Sequence, residues 1–224
     1  MIVYIDGVLD SAALTSLDRL LQDADFSDGK LTAGTFAKTV KQNAQLTDGN
    51  ETIQTVRSII DPALQKNPLF QAVARPQAIR PCLINRYDPG MSYGWHTDNA
   101  LMGSIGSRIR SDLSFTLFLS DPDTYEGGEL VLDTDNGEKP IKLAAGSLLL
   151  YPSTFLHRVA EVRSGCRLAA VSWVQSVVRH THQRTILFEL DTVRRSIFQK
   201  YGKIEEFDLL SKTHANLLRQ WADV

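Results

Sequence analysis

Cysteine is scarce. Cys82 and Cys166 are the only two in 224 residues and no CxxC pair occurs, which argues against a disulfide framework and leaves buried free thiols as the expectation. No apolar run approaches the ~20 residues needed to span a bilayer. The opening stretch MIVYIDGVLD lacks a basic n-region and a long apolar h-region, so no secretory signal is read there and the chain is expected to be soluble and cytoplasmic. A surplus of one charge is missing as well. With 24 Lys+Arg against 26 Asp+Glu the net charge is −2, and such a chain has no global field to draw in nucleic acid or an anionic membrane. Internal repeats, low-complexity tracts and Pro/Gly/Ser linkers are also absent. What remains is an ordinary globular composition, 43% hydrophobic, long enough for one well-buried core.

Hydrophobic period divides the chain into three zones. Residues 1–77 read as an N-terminal helical region packed on the core. Asp10 or Ser11 can cap a helix with Leu14, Leu17, Leu20 and Leu21 at helical spacing, and SDGK after it is a turn. A second helix spans about Glu51 to Gln65, with Ile53, Val56, Ile59 and Ile60 on one stripe and Pro62 inside it. Across residues 78–178 the pattern becomes that of strands. Eight short segments (IRPCLINRY, SYGWHTD, LSFTLFLS, GELVLDT, KPIKL, SLLLYP, LHRVAEV and RLAAVSWVQSVV) are separated by turn signals such as DPG, TDNGEK and RSG. With no helical pattern between them they predict an antiparallel sandwich or barrel, and a double-sheet jelly roll is the natural count. Residues 179–224 read as a C-terminal helical extension. RTILFELDTVRRSIFQKYG carries Ile186, Leu187, Leu190, Val193, Ile197 and Phe198 on one face and stops at Gly202, and a last helix runs from about Glu205 to Trp221. The fold class is therefore mainly β with flanking helices.

The stretch GWHTDNALMG sets His96 and Asp98 two residues apart. On a strand they face one side about 7 Å apart, and can close on one small cation if a third ligand comes from elsewhere. His157, in YPSTFLHRV, is a titratable side chain placed among Leu148, Leu149, Leu150 and Phe155. Two imidazoles and a carboxylate with open positions form the facial triad of non-haem Fe(II) oxygenases. Zinc hydrolases use the same donors, so the ligand set alone leaves the metal open. Arg167 follows His157 by ten residues, across the turn RSG, and opens an otherwise apolar strand. A buried guanidinium needs an anion, best a bidentate carboxylate. No acid lies among its strand neighbours, so a carboxylate on a small molecule is the expected partner, with Glu161 as the structural alternative.

RYDPGMSYGWHTD, EGGELVL, AGSLLLYPSTFLHRV and SGCRLAAVSWVQS together resemble the Fe(II)/2-oxoglutarate dioxygenases of the prolyl/lysyl hydroxylase type. The chain is most similar to bacterial PKHD-type hydroxylases, a group associated with iron uptake. The core likeness covers residues 78–178, and the helices at both ends are similar too. It implies a double-stranded β-helix core with Fe(II) held by His96, Asp98 and His157. It further implies that Arg167 holds the distal carboxylate of 2-oxoglutarate, that Tyr87 reaches into the cosubstrate pocket, and that L-ascorbate is a candidate auxiliary reductant. The implied reaction takes 2-oxoglutarate and O2, hydroxylates a prime substrate and releases succinate and CO2. The ligand position at Asp98 is filled by a carboxylate, which favours hydroxylation over halogenation. Where some relatives place a second tyrosine against the distal carboxylate, this chain has Phe118. The prime substrate is left open among a protein, a peptide and a siderophore-like molecule, and an oligomer is compatible with everything above.

A non-catalytic cupin-like metal or ligand-binding module is the competing assignment. Arg167 separates the two, because a plain metal-binding module needs no buried cation beyond its last ligand. Nucleic-acid dealkylation on the same fold is disfavoured by the acidic balance and the lack of a basic aromatic groove. His180 and His182 lack a third ligand and are expected at a polar junction. His214 is expected on a surface helix, Trp95 in packing away from the metal, EGGEL in a bulge or tight turn, and Arg108 and Arg110 as solvated loop charges.

Overall fold

In the computed structural model, which describes residues 1–224, all eight expected segments form strands. They pair antiparallel in two facing sheets of eight and five strands, with two short ribbons beside them. The large sheet runs in the order Val3–Ile5, Leu148–Pro152, Leu113–Phe118, Arg167–Ser176, Leu83–Tyr87, Ala44–Leu46, Phe26–Asp28, and Pro76–Ile79 adds to the C-terminal part of Arg167–Ser176. The smaller sheet runs Gly137–Ile141, Leu130–Thr134, His157–Val159, Ser92–His96, Lys41–Gln42.

Alternation along the strands explains where each face goes. In LSFTLF, Leu113, Phe115 and Leu117 join a core of 22 buried residues behind the large sheet. The helices α1 (Ser11–Gln22), α2 (Glu51–Lys66) and α3 (Pro68–Ala74) cover that face with Leu17, Leu21, Ile53, Val56, Ile60, Leu64 and Phe70. The other face looks into the sandwich, where only nine residues, Phe118 and Tyr87 among them, form an apolar cluster. The main hydrophobic core thus lies outside the sandwich, and the space between the sheets is left to polar and titratable side chains.

Local chemistry sets the helix ends. The Asp10 carboxylate accepts from the Ala13 N–H at 2.8 Å and Asn50 from Ile53 N–H at 2.9 Å, each capping an otherwise unpaired donor. Pro62 lies inside α2 without ending it. The unexpected α3 starts at Asn67 and Pro68, a cap followed by a proline at the first helical position.

Two expectations need correction. The N-terminal 77 residues are not wholly helical: Val3–Ile5, Phe26–Asp28, Ala44–Leu46 and Pro76–Ile79 belong to the large sheet and Lys41–Gln42 to the smaller one. The β core therefore begins before residue 78. These strands are two to four residues long, too short for a period of two to stand out. SDGK likewise straddles a strand end and a 3-10 turn, with Asp28 capping Lys30 N–H at 2.9 Å. In α4 (Thr181–Tyr201) the buried residues are Arg184, Leu187 and Asp191, while Ile186, Val193 and Phe198 of the apolar stripe are exposed. The packed face is set by polar anchors. Arg184 donates to the carbonyls of Val178 and Arg179 at 2.8 and 2.7 Å, while Asp191 is paired within the helix by Arg194 and Arg195. α5 (Glu205–Trp221) follows after a turn at Gly202, whose φ of 74° is one that glycine adopts without strain. Both cysteines are free, and no helix is long and apolar enough to cross a membrane.

Candidate active site

His96 ends the strand Ser92–His96, directly opposite His157 on the neighbouring strand. Two residues lie between Tyr93 and His96 where only one lies between His157 and Val159, so the pair carries a bulge. The extra residue turns Tyr93 and His96 to the same side, and their rings stack with centroids 3.6 Å apart. Asp98 is not on the strand, as the HxD spacing had suggested, but in the irregular stretch just after it. A strand would hold the two side chains apart; the turn beyond its end lets the carboxylate fold back. The ligand atoms of His96, Asp98 and His157 lie within 4.8 Å of one another, the one cluster of this kind in the molecule.

Neighbours fix the orientation of each donor. His96 Nδ1 lies 2.8 Å from the Gly94 carbonyl oxygen and His157 Nδ1 lies 3.0 Å from that of Phe155. A carbonyl only accepts, so both Nδ1 atoms carry the proton and both Nε2 atoms present lone pairs. Ser114 Oγ donates to Asp98 Oδ2 at 2.5 Å and meets Ser153 Oγ at 2.7 Å. Burial, and next the neighbouring His157, pull His96 down to about 4, so its ring is neutral at ordinary pH. Two imidazoles and a carboxylate converging in a buried site can hold one divalent cation.

Arg167 opens the strand Arg167–Ser176 and stands directly opposite Tyr87 in the register of the large sheet. It is 1% exposed. Its guanidinium carbon lies 5.2 Å from the Tyr87 ring centroid and 5.6 Å from that of Phe118. No ion pair reaches it, from Glu161 or any other acid, and Nε has no partner. Tyr87 is fully buried beside it, its hydroxyl pushed up to about 12 by that burial. Arg167, Tyr87 and the three metal-type residues line a single cavity of about 320 Å³, at the lower end of the range of small-ligand sites.

EGGEL does form a bulge, between Glu126 and Gly127, and both glycines have positive φ. Gly128 presses on the site: a Cβ there would come within 3.0 Å of Arg167 Cδ and 3.1 Å of Tyr125 Cε2. Tyr125, whose buried hydroxyl also lacks a partner, escaped the sequence reasoning, as did Ser114, Tyr93 and Lys41. In KQNAQ the residues Lys41, Asn43 and Gln45 alternate and all three are buried, but a lysine and two amides show no hydrophobic period that would mark them as inward. Trp95 faces away from the cavity, over Arg158. Arg110 is bound by Asp112 at 2.7 Å and by Asp223, so it is structural, and Arg108 is exposed. His180 and His182 stack at the start of α4 without a third ligand. His214 is half-buried rather than superficial, 2.9 Å from Arg75.

Comparison with known proteins gives two family matches along the chain. The 2OG-Fe(II) oxygenase superfamily matches residues 82–175 and the PKHD-type hydroxylase C-terminal domain matches residues 182–223. A PKHD-type hydroxylase of Thermosynechococcus vestitus is 55% identical over 224 residues, and one of Crocosphaera subtropica is 54% identical over 223, each covering 100% of both chains. Among solved structures, a prolyl-4-hydroxylase of Pseudomonas putida superposes with a TM-score of 0.55 at 17% identity, covering 78% of this chain and 92% of that one. A Trichoplax adhaerens prolyl hydroxylase gives 0.56 at 20% identity, covering 78% and 83%. At these identities the structural likeness speaks for the fold, a double-stranded β-helix.

Proposed function

The chain belongs to the PKHD-type hydroxylases of the 2OG-Fe(II) oxygenase superfamily, and on that premise we propose that His96, Asp98 and His157 hold Fe(II) and Arg167 receives the distal carboxylate of 2-oxoglutarate. The observation that carries this is the pairing, in one cavity, of a converging His–Asp–His cluster with a buried guanidinium that has no acid of its own. Fe(II) bound there supplies the oxidising chemistry, coupling conversion of 2-oxoglutarate and O2 to succinate and CO2 with hydroxylation of a C–H bond.

The protein's part is placement. The backbone carbonyls of Gly94 and Phe155 hold both imidazoles in the tautomer that offers Nε2, and Ser114 holds the carboxylate. Arg167, roofed by Tyr87 and Phe118, fixes the far end of the keto acid, and Leu130 and Val159 wall the cavity with apolar surface. The test is direct. Adding 2-oxoglutarate to the anaerobic Fe(II) protein should give a weak visible charge-transfer band, and admitting O2 should release succinate. Intact iron binding with neither band nor succinate would leave a cupin-like binding module instead. The prime substrate would be sought by comparing metabolites of a knockout and its parent under iron limitation, the condition suggested by the group's association with iron uptake.

A further inference from the structure

Charge in the cavity does not balance. Three cations line it, Lys41, Arg80 and Arg167, against two acids, Asp48 and Asp98. Asp48 is taken by Arg57 at 2.9 Å. None of the ion pairs in the structure involves Lys41, Arg80 or Arg167. The proposed function, on which this inference rests, assigns Asp98 to the metal. It also gives the distal carboxylate of 2-oxoglutarate to Arg167, so that the keto-acid end would face the metal-type cluster. Lys41 is then left without an ion-pair partner, with Asp28 acting on it only at longer range.

Lys41 is no surface lysine. It is 4% exposed and sits where the chain passes from the small sheet at Lys41–Gln42 to the large sheet at Ala44–Leu46. Of its three N–H donors one is placed, in a long 3.3 Å contact to Thr32 Oγ1. The Tyr93 ring, stacked on His96, lies 5.2 Å from Nζ, so the ammonium stands one aromatic ring away from the metal-type cluster. Behind it runs a buried amide chain: Thr32 donates to Gln45, and Gln45 and Asn43 donate to Asn85 Oδ1 at 2.6 and 3.1 Å. A buried ammonium with unplaced donors is costly unless an anion arrives. Burial pulls its pKa down to about 8, with the protonated form still dominant at neutral pH.

We infer that the molecule to be hydroxylated is a small carboxylic acid whose carboxylate is received by Lys41, beside Tyr93, in the cavity that Arg80 also lines. The amides of Asn85 and Gln45 line the same cavity and suit a peptide-like group, so N-acylated amino acids are the chemical class of first choice. Lys41 is a specificity-determining residue on this view, with no part in the cosubstrate site.

The test loads the full-length protein with Mn(II) and 2-oxoglutarate, which fills the Arg167 site without turnover. N-acetyl amino acids and their C-terminal amides are then titrated in matched pairs by calorimetry, and the readout is the ratio of amide to acid Kd within each protein. Acids should bind about ten- to a hundred-fold tighter than their amides, the size expected of a charged hydrogen bond. Lys41→Met should bring the ratio to about one, Lys41→Arg should keep part of it, and Lys38→Met, an exposed lysine of the same segment, should leave it unchanged. Because the ratio is internal, general damage to the fold cancels. Equal binding of acids and amides, no binding of any acid at millimolar concentration, or an unchanged ratio in Lys41→Met would overturn the inference. Failure of Mn(II) or 2-oxoglutarate to load is a separate result that removes the proposed function itself.

Discussion

Replacing Arg167 by alanine separates a cosubstrate anchor from a scaffold residue. The side chain is 1% exposed and has no acid within ion-pairing distance, so its removal breaks no ion pair of the protein. The apo form loses the guanidinium's contacts with the Tyr87 and Phe118 rings, about 0.5–2 kcal/mol each, and gains a cavity. It also sheds the desolvation cost of an unpaired buried charge. These terms oppose, and the apo melting temperature should move by only a few degrees. The cosubstrate has no such compensation. A charge-assisted hydrogen bond contributes roughly 1.5–3 kcal/mol, so 2-oxoglutarate should bind on the order of ten- to a few hundred-fold more weakly, with Fe(II) affinity nearly intact. Arg167→Lys should recover part of the loss, since charge remains and the planar fork does not. Calorimetric titration of 2-oxoglutarate into the Mn(II)-loaded variants, beside melting curves of the apo proteins, gives both quantities. An Arg167→Ala protein that melts far below the parent yet binds 2-oxoglutarate as the parent does would refute the assignment.

Three more outcomes rest on single contacts. His96→Ala, Asp98→Ala and His157→Ala should each greatly weaken anaerobic Fe(II) binding, and Ser114→Ala, which frees the Asp98 carboxylate, should cost about ten- to a hundred-fold; His180→Ala and His182→Ala should change neither. Gly128→Ala forces a side chain into φ +66° and onto Arg167 Cδ at 3.0 Å, so it should lose about 1–3 kcal/mol of stability and bind 2-oxoglutarate several-fold more weakly, whereas parent-like melting and affinity would refute the packing argument. Tyr125→Phe removes a buried hydroxyl that has no partner beside Arg167, which should leave apo stability unchanged or slightly higher and weaken 2-oxoglutarate by a few-fold if that hydroxyl serves the distal carboxylate; unaltered cosubstrate affinity would assign it to the core.

The β core was legible in the sequence because its strands are long enough to alternate and are punctuated by turn residues. Leu113, Phe115 and Leu117 against Ser114, Thr116 and Phe118 is such a case, and the two faces end in different cores. What escaped has one cause in common: short elements whose place is decided by the rest of the chain. Lys41–Gln42 and Ala44–Leu46 carry too few residues to show a period, and they become strands only because the edges of two sheets await them. The apolar stripe of α4 misled for a related reason. Hydrophobic spacing tells which face is able to bury, while the hydrogen bonds of Arg184 to Val178 and Arg179 decide which face does.

The candidate site divides along the same line. His157 and Arg167 were visible as residue types out of keeping with their surroundings, a titratable or charged group against leucine, alanine and valine, and His96 and Asp98 by their two-residue spacing. That contrast is what burial without a protein partner looks like in one dimension. Ser114 and Lys41 gave no such contrast, since serine is ordinary on a strand and lysine is the expected residue of a surface. Only the fold turns them inward, Ser114 by alternation from the buried Phe115 and Lys41 by the crossing of its segment from one sheet to the other. The bulge that stacks Tyr93 on His96 is likewise set by pairing with His157–Val159 and not by the strand's own residues. Gly94 shows the limit most clearly. Its backbone is unexceptional, and the reason for glycine is that a Cβ would stand 2.8 Å from the Cβ of Val40. The segment that brings Lys41 to the cavity is therefore admitted by the glycine whose carbonyl orients His96.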